Sequence, residues 1–344
     1  KMKQRTFYLD NLCGLMLLYM IFIVHIAGQY NPCWVQITKA IFSCFMSWFF
    51  FKGGMMHRLQ SMSEITLKSV KRLFVPYVIF LVIGFLLDVV RYHYEGIDVT
   101  RPVFYKNEIH TFLTTSIFRS TAASWFLLAL FVVRLIFNAL CPKVKPYVIT
   151  IVFAVLSCML WWLEKMRIEQ QTSFYIPFYI GTMCHGLAVY SLGFSIKEKQ
   201  FSKLWIFLAI AVEMLRFIVD SRIDFRTNNA GSNFFPLGIV YGMAGCVVFN
   251  CIFRRWLDFQ IPLLTYIGRN SMVFYLMHYP IMIMSISLLK EQLHGIGPVS
   301  YSCIISGIVI VGLILSDLLF RIKKLHFIKE SPIIDPIHPI FGRV

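Results

Sequence analysis

Charge is scarce in this chain: only 15% of its 344 residues are charged, and just 17 are acidic. An ordinary soluble domain carries about a quarter, so that class is excluded. The apolar–polar alternation of a membrane β-barrel is also missing. The nine cysteines form no Cys-x-x-Cys pair and no Cys/His spacing suited to zinc. Neither a disulfide framework nor a metal site is expected. No internal repeat, low-complexity tract or Pro/Ser-rich linker interrupts the chain, so residues 1–344 read as a single membrane domain. No Ala-x-Ala-like site follows the first apolar run, which is expected to stay as the first helix.

Long apolar runs are abundant. Hydrophobic residues make up 58% of the chain. About ten runs are long enough to cross ~30 Å of hydrocarbon: residues 11–28, 34–51, 73–90, 123–140, 147–163, 174–193, 204–220, 234–252, 263–289 and 299–320. Backbone polar groups find no water in lipid, so these runs should be helices. The expected fold is all-α, a polytopic bundle of about ten transmembrane helices with both termini cytoplasmic. A basic inner connection over 52–72 and a mixed outer connection over 91–122, with room for a short interfacial helix, stand out for length. The tail 321–344, with Pro332, Pro336 and Pro339, is expected to be extended.

A net charge of +16 invites a nucleic-acid reading, but the placement of the charges argues against it. About 20 basic residues fall on inner segments and about nine on outer ones, as the positive-inside rule requires. The partners expected are membrane lipids, with no nucleic acid.

Ionisable groups inside the spans carry the chemical information, because hydrocarbon makes them costly. His25 lies fifteen residues, or ~22 Å, beyond Asp10 along the first span, and His278 lies about as far beyond Leu263 along the ninth. Two imidazoles at one depth suit proton exchange in one cavity, or each is an interhelical hydrogen-bonding residue. Ser271, Tyr275 and His278 share one helical face, with Arg269 at its inner end. His185 reads as a satisfied core histidine, and Glu213 with Arg216 as a structural pair. Arg134 and Lys39 lack a partner nearby in sequence; either would hold an anionic substrate group or pack and snorkel. Lys68, Lys71 and Arg72 form a cationic cluster able to bind phosphates, or they are simply inner-face charge.

The same segments resemble the acyltransferase type 3 family, integral membrane O-acyltransferases of bacterial surface polysaccharides. The resemblance is carried by Arg5-x-x-x-Leu9-Asp10 with His25, by Phe49-Phe-Phe-Lys-Gly-Gly54 with Lys71-Arg-Leu-Phe-Val-Pro76, by Ser124-Trp-Phe-Leu127, and by Gly268, Ser271, Tyr275 and His278. It implies transfer of an acetyl or similar acyl group from cytosolic acetyl-CoA (or another acyl-CoA) to a hydroxyl of a cell-surface polysaccharide or lipid-linked sugar. The setting implied is the bacterial cytoplasmic (inner) membrane. Catalysis would fall to His25, as general base or acyl relay, and Asp10. Lys68, Lys71, Arg72 and Arg269 would hold coenzyme A phosphates, and Ser271, Tyr275, His278 and Arg134 would position substrate. The family pattern carries a cation three residues after the aspartate; here Cys13 stands there, leaving Arg5, Arg72 or Arg269 to supply it. From the residues alone, a proton-coupled transporter or flippase of lipid-linked sugars using His25 and His278 is the competing reading.

Overall fold

The computed structural model describes residues 6–29, 33–170, 180–197, 203–216, 218–219, 223–224, 229–230 and 235–320. Arg5 and the tail 321–344 lie outside them. Among the described residues, seven helices are long and apolar enough to cross a membrane. The first is α1, Tyr8–Leu18, continuing as a π-helical stretch over Tyr19–Ile26. A second continuous helix joins α4 (Met62–Ser69), a π-helical turn at Val70–Phe74, and α5 (Val75–Tyr94). Next come α6 (Pro102–Thr115) with α7 (Trp125–Leu140), α8 (Pro146–Glu169), α11 (Phe235–Trp256), α13 (Ser271–Leu288) and α14 (Pro298–Phe320). Two shorter apolar helices, α9 (Ile180–Ile196) and α10 (Lys203–Leu215), and the pair α2 (Cys33–Ile41) and α3 (Phe45–Met55) occupy the remaining expected positions. Among the described residues, the one strand pairing, Ile223–Asp224 with Asn229–Ala230, is two residues long on each side. The bundle is all-α, as hydropathy requires.

Two expected spans are broken. The run 34–51 turns at Phe42–Cys44, where Ser43 donates to the Glu213 carboxylate at 3.2 Å. The run 263–289 divides into α12 (Pro262–Arg269) and α13 at Asn270, whose side-chain amide donates to the Tyr266 carbonyl at 2.9 Å. Asparagine competes with helix propagation through such local bonds. The inner connection 52–72 is helical from Met62 onward, because Ser61 caps the Glu64 amide at 3.3 Å, a Ser-x-x-Glu start signal. The outer connection does contain a helix, α6, ended by Ser116 in the left-handed region at φ 59°. Beyond it, buried Asp88 on α5 accepts from the Ser120 amide and hydroxyl at 3.0 and 2.6 Å, holding residues 119–124 against α5.

The core is central and aromatic. Leu12, Cys13, Met16 and Leu17 on α1 and Trp48, Phe50 and Phe51 on α3 are fully buried. Outward faces are apolar as well: Val82, Leu86 and Val90 on α5, and Val311, Ile314, Leu315 and Leu318 on α14, are all exposed at helical spacing. In water such stripes would be a liability; around a membrane bundle they face lipid.

Close helix contacts depend on small residues, as is usual where lipid supplies no hydrophobic drive. A side chain at Gly14 would begin 2.3 Å from the Leu264 carbonyl oxygen, and one at Gly268 would begin 1.9 Å from that of Asp10. Helices α1 and α12 therefore touch backbone to backbone. Gly268→Ala is expected to force them apart and lower stability by about 1–3 kcal/mol, read as a drop in Tm in detergent. Gly307→Ala on α14, where a methyl group meets nothing within 4 Å, serves as the control and should not lower it.

Candidate active site

The inner end of α1 is knit to the chain around α12. The Asp258 carboxylate accepts from the Phe7 and Tyr8 amides at 2.7 and 3.0 Å, a charged cap on a helix N-terminus. Asn11 donates to the Leu257 and Phe259 carbonyls and accepts from Thr265 at 2.7 Å. Asp10, 4% exposed, pairs with Arg269 at 3.3 Å. Arg269, one of the three candidates for the cation absent at Cys13, is thus paired with Asp10. Asp10 and His25 lie fifteen residues apart on one helix, so the structure does not bring them together.

His25 and His278 do meet. Their ring centroids are 5.2 Å apart, with Tyr279 5.5 Å from His25. His25 sits on the π-helical stretch, a winding with i→i+5 bonds that recurs at functional sites. His278 is 1% exposed, and its Nδ1 lies 2.6 Å from the Tyr275 carbonyl and 3.2 Å from that of Phe274. A carbonyl only accepts, so Nδ1 carries the hydrogen and Nε2 keeps its lone pair. Nε2 is buried with no hydrogen-bond partner among the described residues. One turn beyond His25, Lys39 brings its Nζ to 3.5 Å from where a Gly28 side chain would begin, placing a cation near the outer side of the pair.

Below the histidines lies a narrow, partly open apolar cleft. Leu17, Phe49, Leu73, Phe126, Leu130 and Tyr275 line it, with Ser271 also on its wall. Tyr275 links the two regions: its ring is 5.4 Å from Phe126, 6.3 Å from Phe49 and 6.0 Å from His278. Ser271, Tyr275 and His278 therefore share one continuous surface, as their spacing suggested. Tyr279 and the cleft's aliphatic wall were not legible as site residues, because nothing local separates them from other apolar residues of a span.

The cationic cluster is only partly gathered. Lys68 and Lys71 are exposed, and Lys68 donates to Gln60 at 2.9 Å. Arg72 is half-buried on the π-helical turn, immediately before the cleft residue Leu73. Arg134 is elsewhere: its charge acts on His57, beyond the inner end of α3. No hydrogen bond, ion pair or ring contact among the described residues joins it to either site histidine. The two bland readings hold. His185 shares a 2.8 Å hydrogen bond with Ser47, and Glu213 pairs with Arg216 at 3.7 Å. Among the described residues, no three His, Cys, Asp or Glu side chains stand together as a metal would require.

His57 accepts from the Tyr190 hydroxyl at 2.7 Å and donates to Asn138 at 3.3 Å, so it is held neutral. Burial first, then the Arg134 charge, pushes its pKa from 6.5 down to about 4. Below pH 6.5 the unfolded chain binds a proton that the folded one refuses, so stability falls with pH. Between pH 6.5 and about 4 the loss should approach about 3 kcal/mol. Unfolding midpoints measured across this window should fall in the wild type and flatten in His57→Gln.

A family model for an acyltransferase domain matches residues 7–321, nearly the whole chain. No curated protein and no solved structure matches it.

Proposed function

The chain belongs to this family of membrane acyltransferases, and on that premise we propose that it moves an acetyl group from cytosolic acetyl-CoA to a hydroxyl of a surface or lipid-linked polysaccharide. The observation that carries the mechanism is the meeting of His25 and His278 at 5.2 Å above an apolar cleft. The histidines supply proton exchange beside it. Leu73, next to Arg72, is part of the cleft wall. The sugar acceptor and the bacterial cytoplasmic membrane as setting rest on the family resemblance.

His25 takes the proton of the acceptor hydroxyl as its oxygen adds to the thioester carbonyl carbon. The carbon–sulfur bond then breaks, and the coenzyme thiolate leaves and recovers the proton from the imidazolium. His278, fixed as a neutral ring with Nε2 bare, accepts a hydrogen bond from a second, neighbouring hydroxyl of the sugar and so positions the reacting one. Lys39 is the cation placed to steady negative charge on the carbonyl oxygen. Breaks in two spans are also a device of transporters. Membership of an acyltransferase family and the apolar lining of the cleft favour the enzyme.

The test is transfer of labelled acetyl from acetyl-CoA to surface glycan in membranes carrying the wild type or a single variant. His25→Ala should lose about 10²–10⁴-fold without a matching fall in Tm, and His278→Ala should also be impaired. Full transfer by a folded His25→Ala protein rejects the mechanism.

A further inference from the structure

Lys52 is the most anomalous charge in the molecule. It lies on α3, three residues before the helix ends at Met55, and is 1% exposed. Its Nζ has no hydrogen-bond partner or ion pair among the described residues, and it lies 5.6 Å from the centre of the Trp48 ring. Trp48 is fully buried too, and its Nε1 likewise has no acceptor. The two residues are four apart, one above the other on the same helix face. An ammonium and an indole N–H can only donate. A dry face that presents two donors and no acceptor is complementary to an anion, since a buried charge left alone is costly.

The surroundings indicate which anion. Phe49 meets Trp48 edge-on at 5.8 Å and shares a face with Lys52, and it lines the apolar cleft. Through Tyr275 the cleft reaches His278 and so His25. By rise per residue, Lys52 sits ~4.5 Å above the inner end of α3 and His25 ~22 Å beyond Asp10, a separation on the order of 15–20 Å. That is the reach of an extended pantetheine arm between its thioester and its phosphate. Lys68 and Lys71, by contrast, are exposed on the inner surface.

We infer that Lys52 and Trp48 form a buried anion site that grips the phosphate of a phosphopantetheine thioester donor while the arm lies in the cleft. The inference rests on the acyl-transfer reading and narrows it to one contact. The phosphate has two sources, free coenzyme A or the prosthetic arm of an acyl carrier protein.

The purified full chain would be tested by thermal shift with coenzyme A, 4′-phosphopantetheine, pantetheine and holo acyl carrier protein. The wild type should bind phosphopantetheine at least tenfold more tightly than pantetheine. Lys52→Met should erase that preference and leave pantetheine binding unchanged. Trp48→Phe, which removes only the N–H, should reduce the preference several-fold. The ligand-free Tm of Lys52→Met should equal or exceed that of the wild type, because an unpaired buried charge has been removed. A lower ligand-free Tm, or a phosphate preference that survives in Lys52→Met, overturns the site and leaves the acyl-transfer reading standing. A wild type stabilised by none of the four overturns both. Stabilisation by free coenzyme A assigns that source, and stabilisation by holo carrier protein alone assigns the other; either supports the site.

Discussion

Helix α1 presents His25 to His278 only because its inner end is clamped to α12. Gly14 and Gly268 let the two backbones touch, and the Asp10–Arg269 pair closes the contact at 3.3 Å. Asn11 and Asp258 add bonds around the same junction. Since α12 passes into α13 through Asn270, fixing α12 against α1 also fixes the start of α13. From that junction α1 and α13 bring the two imidazoles together, with ring centroids 5.2 Å apart. Asp10 is buried and Arg269 is 34% exposed, so losing Arg269 would strand the carboxylate while losing Asp10 would leave a cation that water still reaches. The clamp is therefore a register device more than a source of stability.

Beside the clamp lies a cleft with an apolar lining. Aromatic and aliphatic side chains from α1, α3, α7 and α13 form its walls, and Tyr275 passes from the cleft to the histidines. In such a medium electrostatic terms are larger than in water, so a few polar atoms decide the chemistry. His278 shows how they are set. Backbone carbonyls of its own helix take the Nδ1 hydrogen, so the reactive nitrogen is fixed without another side chain. Pro280, two residues on, lacks an N–H and loosens the helix at this level.

The architecture was largely legible from hydropathy, because twenty apolar residues in lipid have almost no alternative to a helix. The two histidines do meet, although the count that matched their depths assumed an unbroken ninth span and the run divides at Asn270. Hydropathy is a sum over a window, however, and it does not register a single residue that stops a helix. It passed smoothly over Asn270 and over Phe42–Cys44. The helix start at Ser61 did carry a local signal, the capping pair with Glu64, yet the charge of the segment obscured it. Long-range partners were beyond reach: Arg269 and Asp10 are 259 positions apart, and local periodicity does not specify such a match. Arg134, expected to position substrate, lies close enough to His57 for its charge to act there.

Lys52 shows why charge in a membrane protein has to be sorted by solvation before it is interpreted. In sequence it counts among the inner cations that set topology, alongside Lys68 and Lys71. Those two sit in water, where an ammonium costs nothing to keep and orientation is reason enough for its presence. Lys52 is sealed against Trp48, so orientation alone does not account for it; the same charge a turn closer to the aqueous edge would serve as well at less cost. The same reasoning separates Asp10 from Asp98. Asp98 stands exposed at an outer turn bonded to Thr100, whereas Asp10 is buried and must have Arg269. Across this fold the informative charges are the desolvated ones, and Asp10 and Lys52 lie on the two helices, α1 and α3, that also line the cleft.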